Sequence, residues 1–376
     1  MKRFFCLLTM SFLCFCCTHS NDEIKTLKVD VDASLSDGET SIYDIFSSVD
    51  VIALDSSYPV SNSVHTGEAY ITCDGNKFYI LDQKTYKVNV YNIDGSIVSQ
   101  YDKVGRGVGE YTMAYQIEYN STTEKIEILN PTGKILIYSI DSLQYESELN
   151  FIGKPLSTHN FGLIGDDYIL YSAREADKLY KLYSESNAVI SYDYQPPEYL
   201  RKYISPQSPF FYIENLPCIF RPYDGLIYQF DVTYNRIKPI LQWDFGKYKC
   251  SFHDIPHDRS NREYYEFILE YSKKHIAAFF NIKYAHNVIF ASVILKGETY
   301  TLLYDLNRDY SWLFKETIEG MKFLPELFND KVMYKYVDSA SLPDFINRNI
   351  LDIQSQDEYD KVIREEGSAI IKYTLK

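Results

Sequence analysis

The sequence has no excess of basic charge. Its 38 lysines and arginines face 52 aspartates and glutamates, for a formal net charge of −14. That acidic mean field repels a polyanion and no basic patch interrupts it, so nucleic acid is excluded as a partner. No apolar run reaches the roughly 20 residues that a membrane-spanning helix needs. A nucleophile elbow, a paired-cysteine metal motif and a histidine–glutamate zinc helix are also missing, so neither a metal nor a cofactor is expected. Cysteine is scarce beyond the amino terminus. Only Cys73, Cys218 and Cys250 lie past residue 17, which allows one disulfide at most, and each is read as a buried free thiol acting as a small hydrophobe. What is abundant is tyrosine, at 36 residues, within a chain that is 45% hydrophobic. An apolar ring with a polar tip suits half-buried strands better than helix interiors, which tilts the expectation towards an all-β fold.

Lys2 and Arg3 precede an apolar run from Phe4 to about Phe15, followed by Cys16, Cys17 and a polar stretch from Thr18 to Glu23. A short apolar run with a basic start reads as a signal peptide. With its terminal cysteines it resembles a bacterial lipoprotein signal, which implies acylation of Cys17. Cys14 stands where leucine is usual, three positions upstream; taking Cys16 as the acceptor instead puts Leu13 there but bulky Phe15 just before it. A plain secretory peptide is the alternative. Several acyl chains would anchor the protein firmly, since each buried methylene contributes about 0.8 kcal/mol. Asn21-Asp22-Glu23 resembles the surface-export tag of lipoproteins in Bacteroidota-type bacteria. The expected organisation is a signal peptide over 1–16, a linker over 17–40 and one domain over 41–376, carried by an outer-membrane lipoprotein of the cell envelope on the periplasmic or surface side.

The domain is repetitive. Val88 to Gly95, Ile135 to Ser142, Leu179 to Ser186, Ile227 to Tyr234 and Tyr300 to Asn307 share an apolar alternation, an aromatic and a small or acidic turn. Their aromatics, Tyr91, Tyr138, Tyr183, Phe230 and Tyr304, follow one another at 47, 45, 47 and 74 residues. The last interval becomes regular once about 29 inserted residues are removed. Arg262 to Phe279, without glycine or proline, supplies that insertion and predicts a helix, its apolar residues recurring at three- and four-residue spacing. Ile268, Leu269 and Ile276 are expected to pack on neighbouring blades, and Glu266, Glu270 and Lys273 to face solvent. An earlier strand precedes each aromatic by roughly ten residues: Lys77 to Asp82, Lys125 to Asn130, Tyr168 to Ser172, Pro217 to Arg221 and Asn287 to Ala291. Four strands per unit of about 45 residues is the count of a propeller blade. A sixth blade would combine Lys331 to Val337, Ala369 to Leu375 and a returning Val49 to Leu54. The fold predicted is all-β, a six-bladed β-propeller of four-stranded blades, closed by amino- and carboxy-terminal strands and carrying a helical insertion near 262–279. A pair of β-sandwiches is the alternative, which the unbroken period disfavours.

The chain resembles the six-bladed propeller lipoproteins of Bacteroidota-type bacteria, distant relatives of NHL-repeat propellers. The resemblance covers nearly the whole chain. It rests on Ser48 to Asp55, Phe78 to Asp82, Gly105-Arg106-Gly107-Val108-Gly109-Glu110-Tyr111, Arg221 to Tyr228 and Ala369 to Tyr373. Val108 stands where the family usually has proline, and Gly367-Ser368 where it has Asn-Pro.

The glycines of 105–109 are not a nucleotide loop, because an alternating strand rather than a helix follows; they read as an inter-blade turn. His253 and His257 are four apart, but Pro256 argues against a regular helix between them and no third ligand is evident, so they read as loop histidines. Within an antiparallel blade, the loop joining strands two and three and the loop to the next blade emerge on one face. Asp82 and the Arg106, Glu110, Tyr111 segment are therefore expected as neighbours on a binding face, with Arg174, Arg221, Tyr223 and Asp224 in corresponding positions. Arginines and aromatics at a channel mouth suit a polar or carbohydrate-like ligand, or else solvate the rim. The function expected is a non-catalytic envelope lipoprotein that is held at the membrane by its lipid and binds a partner protein or glycan. The alternative is a lactonase- or lyase-like enzyme using inward-facing Asp82, Asn130 and Arg221. A sensor module is a third option.

Overall fold

The computed structural model describes residues 24–37, 40–60, 70–151, 158–172, 178–192, 209–221, 225–231, 236–249, 261–277 and 279–376. Strand β1 (Lys25–Lys28), helices α1 (Val31–Asp37) and α2 (Ile42–Ile45) and strand β2 (Phe46–Ala53) precede the repeats. Blade 1 is β3 to β6 (Tyr70–Cys73, Lys77–Leu81, Val88–Asn92, Ile97–Tyr101) and blade 2 is β7 to β10 (Gln116–Asn120, Lys125–Asn130, Lys134–Ser139, Tyr145–Asn150). Blade 3 is β11 to β14 (Asn160–Ile164, Asp167–Ser172, Lys178–Leu182, Val189–Ser191) and blade 4 is β15 to β18 (Phe210–Ile213, Leu216–Phe220, Leu226–Asp231, Arg236–Asp244). Helix α3 (Asn261–Ser272) leads to blade 5, β19 to β22 (Phe279–Ala285, Val288–Leu295, Glu298–Asp305, Tyr310–Phe314). Blade 6 joins β23 (Leu327–Asn329), β24 (Val332–Asp338) and β25 (Ser368–Leu375) to β2, which pairs antiparallel along β25 from Phe46–Leu375 to Ala53–Ala369. Two distant pieces of chain thus close the ring, as expected.

The repeat has a packing cause. The second and third strands of each blade carry apolar residues on both faces because a blade on either side covers them. The anchoring aromatics Tyr91, Tyr138, Phe230 and Tyr304 are buried between blades. Their phenols reach acceptors, Tyr91 on the Tyr58 carbonyl, Tyr138 on that of Gly109 and Tyr304 on the Asp309 carboxylate. Tyrosine fills the seam with its ring and ties a loop with its hydroxyl, and this accounts for its abundance. Tyr183 differs, standing half-buried just past β13, beneath the Lys181 ammonium.

Three regions depart from expectation. The insertion helix stops at Ser272 rather than at Phe279, which opens β19. The Ser272 hydroxyl donates back to the Leu269 carbonyl and accepts the Gly297 amide, so the helix end docks on the β20–β21 turn. The chain beyond it turns through Lys273 to His275, whose amides bond back to Glu270 and Tyr271, and then bonds Ala277 to the Ile294 carbonyl. Ile268 and Ile276 are buried, Leu269 is half-buried, and Glu266, Glu270 and Lys273 are exposed. Within the stretch read as a linker, β1 pairs parallel with β18 as a fifth strand of blade 4. Two helices not anticipated, α4 (Leu342–Phe345) and α5 (Ile353–Glu365), connect β24 to β25. The Ser355 hydroxyl and Glu358 carboxylate of α5 accept the edge amides of Val51 and Ala53. An open strand edge is a template for unwanted pairing, and α5 covers this one.

Candidate functional site in the axial channel

The innermost strands meet around the axis and enclose a cavity of about 220 Å³. At a water's share of about 30 Å³ that is room for roughly seven waters. Its wall is shared by all six blades: Tyr70 and Ile71 of β3, Gln116 to Glu118 of β7, Phe161 of β11, Phe210 to Tyr212 of β15, Asn281, Lys283 and Tyr284 of β19, and Glu326 to Phe328 at β23. The residues from β3, β7, β11 and β15 open those strands. The cavity therefore lies towards the face where each inner strand enters, which is also the face of the inter-blade connections.

Strand β7 alternates Gln116, Ile117, Glu118, Tyr119, Asn120, and a strand's period of two places its three polar side chains on one face. That face meets blade 3. Gln116 bridges the seam by donating to the Phe161 carbonyl at 3.0 Å and accepting the Phe161 amide at 2.9 Å. Asn120 and Tyr168 both donate to Glu127 Oε1 at 2.8 Å. Glu127 sits on β8 directly across the ladder from Glu118. It is fully buried, and its Oε2 has no hydrogen-bond partner. Burial outweighs its two donors, and the nearby Glu118 charge adds to it, so the Glu127 carboxyl is pushed up to about 7. An acid with one orphaned oxygen in such a place stays partly protonated around neutrality.

Glu118 is half-buried, and the cavity is what it is exposed to. Its hydrogen bond is a long one, 3.4 Å from the Gln116 amide. Burial raises its carboxyl above the usual range, while the Lys283 ammonium pulls it down through space rather than through a hydrogen bond. Lys283 follows a bulge in β19, where Asn281 adopts φ 52° and donates to the Pro325 carbonyl. A bulge of this kind re-aims the side chains beside it. Glu326 completes the charges. Its carboxylate pairs with the buried Lys335 ammonium at 2.6 Å and accepts the Tyr336 amide, so it enters the wall already neutralised.

The sequence matches the DUF5128 family, described as a six-bladed β-propeller, over residues 19–324. This chain belongs to that family. Many solved structures share its fold, and two of them show the likeness. One is a Bacteroides fragilis protein designated as exported, 18% identical, with a TM-score of 0.72 over 94% of this chain and 100% of that one. The other is a DUF4221-family member from Bacteroides vulgatus, 10% identical, with a TM-score of 0.52 over 88% of this chain and 97% of that one. No curated protein matches the chain.

In this family member the expected face residues divide. The loops of Asp82 and of Arg106 to Tyr111 are neighbours, since the Tyr111 phenol donates to the Tyr86 carbonyl at 2.7 Å. Most of those side chains nevertheless hold the loops together. Asp82 is buried and caps its turn by accepting the Lys84 and Thr85 amides; Asn130 does the same for Thr132, and Asp338 for Ser341. Glu110 curls back to accept the Gly107 amide at 2.7 Å, which fills the space where a Gly105 side chain would stand. Gly109 has φ 71° and lies against the Tyr145 ring, so a side chain there would clash. Tyr111 is buried, Arg106 is exposed at the loop tip, and Arg221 is buried at the end of β16. Neither Asp82, Asn130 nor Arg221 lines the cavity. Cys17, Arg174, Tyr223, Asp224, Cys250, His253 and His257 lie outside the described residues. Burial pushes the Cys73 thiol up to about 11 and that of Cys218 to about 12, so both are packing groups rather than nucleophiles. Glu118, Glu127, Lys283 and Glu326 were not singled out from the sequence. The polar alternation Gln116-Glu118-Asn120 was the available signal, because an inner strand between two blades has no solvent side to put it on.

Proposed function

We propose that this chain is an exported, lipid-anchored binding protein of the cell envelope, which receives a polar group of a glycan or partner protein in the axial channel without changing it chemically. The observation that carries the reading is the cavity itself: six inner strands supply aromatic walls with a few convergent polar groups, the usual make-up of a small-ligand site. The turn residues of the surrounding face cap their own loops. Export is supported by the amino-terminal run and by the exported designation of the Bacteroides fragilis relative. Anchoring rests on Cys17. A Cys17→Ser variant should move from the detergent phase to the aqueous phase in phase partitioning, whereas wild type found in the aqueous phase would remove the anchor. For the binding role, pull-down from envelope fractions and a glycan array should recover a ligand that competes for the channel. Folded protein that captures none from either source would sink this reading.

One observation favours a second reading, a lactonase- or lyase-like enzyme. Glu118 and Glu127 are adjacent carboxyls with different environments, as an acid–base pair requires. Turnover of a lactone or a related ester abolished in both Glu118→Gln and Glu127→Gln would establish it.

A further inference from the structure

We infer that the axial cavity binds a small zwitterion of the amino-acid type, its ammonium against Glu118 and its carboxylate against Lys283. The inference rests on the channel-binding reading and names the chemistry of the ligand.

Of the two carboxylates in the wall, Glu326 is closed into a short pair with Lys335 and a backbone amide. Glu118 is not matched in that way: it has one long amide contact and an ammonium that acts on it from a distance. A desolvated carboxylate so poorly bonded is costly unless something else satisfies it. A ligand ammonium does so with charge-assisted hydrogen bonds, and the Lys283 ammonium, with three donors, is suited to the ligand's other end. Opposite charges on two walls of one small cavity orient a dipolar ligand. A neutral sugar would leave the Glu118 carboxylate only partly bonded. Phe161, Phe210 and Tyr70 supply apolar wall for a side chain, and about 220 Å³ limits the ligand to a small one.

Glu127 adds a signature. It faces Glu118 and Asn120 from β7, Tyr168 from β12 and the Tyr212 phenol from β15, which feels the charges of both glutamates. An ammonium docked at Glu118 screens that charge and itself favours ionised Glu127. Protons then leave Glu127, and Glu118 as far as burial keeps it protonated, for solvent as the ligand enters, and affinity rises with pH through neutrality.

The test is calorimetry on the mature protein at about pH 7, with each standard amino acid and with glucose and N-acetylglucosamine as neutral probes, in two buffers of different ionisation heat. At least one amino acid should bind with release of part of a proton. Affinity should fall by about tenfold or more in Glu118→Gln and in Lys283→Gln, with circular dichroism unchanged. Glu127→Gln should retain binding and release a smaller part of a proton than wild type. Amino-acid binding indifferent to both charge variants would overturn the inference, as would a neutral sugar that binds and survives Glu118→Gln; the sugar result would leave the channel-binding reading standing. If no probe binds, and an envelope partner is captured equally by wild type and both charge variants, the inference and that reading fail together.

Discussion

The seam between blades 5 and 6 and the seam between blades 2 and 3 are built of opposite materials. In the first, Phe290 of β20, Tyr373 of β25 and Phe46 of β2 pack around Phe323, with ring centroids 4.8 to 5.6 Å apart. In the second, hydrogen bonds fall into two groups, Gln116 with Glu118 and the Phe161 backbone at the cavity wall, and Asn120 with Tyr168 on the fully buried Glu127 carboxyl. An apolar seam coheres by burial alone and tolerates small errors of geometry. A polar seam must satisfy every group it buries, and here a carboxylate oxygen, Glu127 Oε2, is left over, against a single phenol, that of Tyr373, in the apolar seam. A ring that closes well on phenylalanine elsewhere gains no stability from that arrangement. Its presence beside the channel is the reason to assign it a role in recognition.

Breaking the apolar seam should give the largest effect. Phe323→Ala removes a fully buried ring with three aromatic neighbours and should cost about 3–5 kcal/mol in urea denaturation. Next comes Glu127→Gln, whose sign depends on pH. Folding raises this carboxyl from 4.5 to about 7. The folded chain therefore binds more protons than the unfolded one between those values, so the stability owed to Glu127 is full below the lower value and lost as pH rises to the upper. The amide imitates the protonated acid. The variant should match wild type near pH 4 and exceed it by on the order of 3 kcal/mol near pH 8, measured by denaturation across pH. The smallest effect is expected from Gln116→Ala, which unbridges the seam at one residue. It should cost about 1–3 kcal/mol and speed hydrogen exchange at the Phe161 amide. A Gln116→Ala loss as large as that of Phe323→Ala would mean that the polar seam is structural after all.

The same contrast explains what the sequence disclosed. Six blades, their four-strand count and the closure of the ring were legible because second and third strands repeat the same apolar alternation wherever two blades cover them. Lys125 to Asn130 is read correctly for that reason, and Lys77 to Asp82 to within one residue of the strand Lys77–Leu81. The turn residues were legible as a set, but their role was not: Asp82 and Asn130 are acidic or amide side chains that serve backbone amides, and composition alone does not separate such a cap from a ligand-binding group. The channel was hidden because its wall takes only a few residues from each of six segments that share no common pattern, and Glu118 meets Lys283 only once the ring has closed. Helix α5 had readable ends, an Asp352 cap and a left-handed Glu366 before Gly367, yet it interrupts a blade between its second and third strands, where the repeat leads one to expect a short turn. Helix α3 ran short because the β20–β21 turn, distant in sequence, captures Ser272 and ends it.

The most direct measurement is carbon-13 NMR of the glutamate side-chain carboxyls, assigned through Glu118→Gln and Glu127→Gln and followed across pH. Glu127 should titrate near 7 and move downward when Glu118 is replaced, because the charge across the ladder helps to hold it up. A Glu127 carboxyl that titrates in the ordinary range near 4.5, unmoved by the Glu118 variant, would contradict the account of a polar seam poised beside the channel.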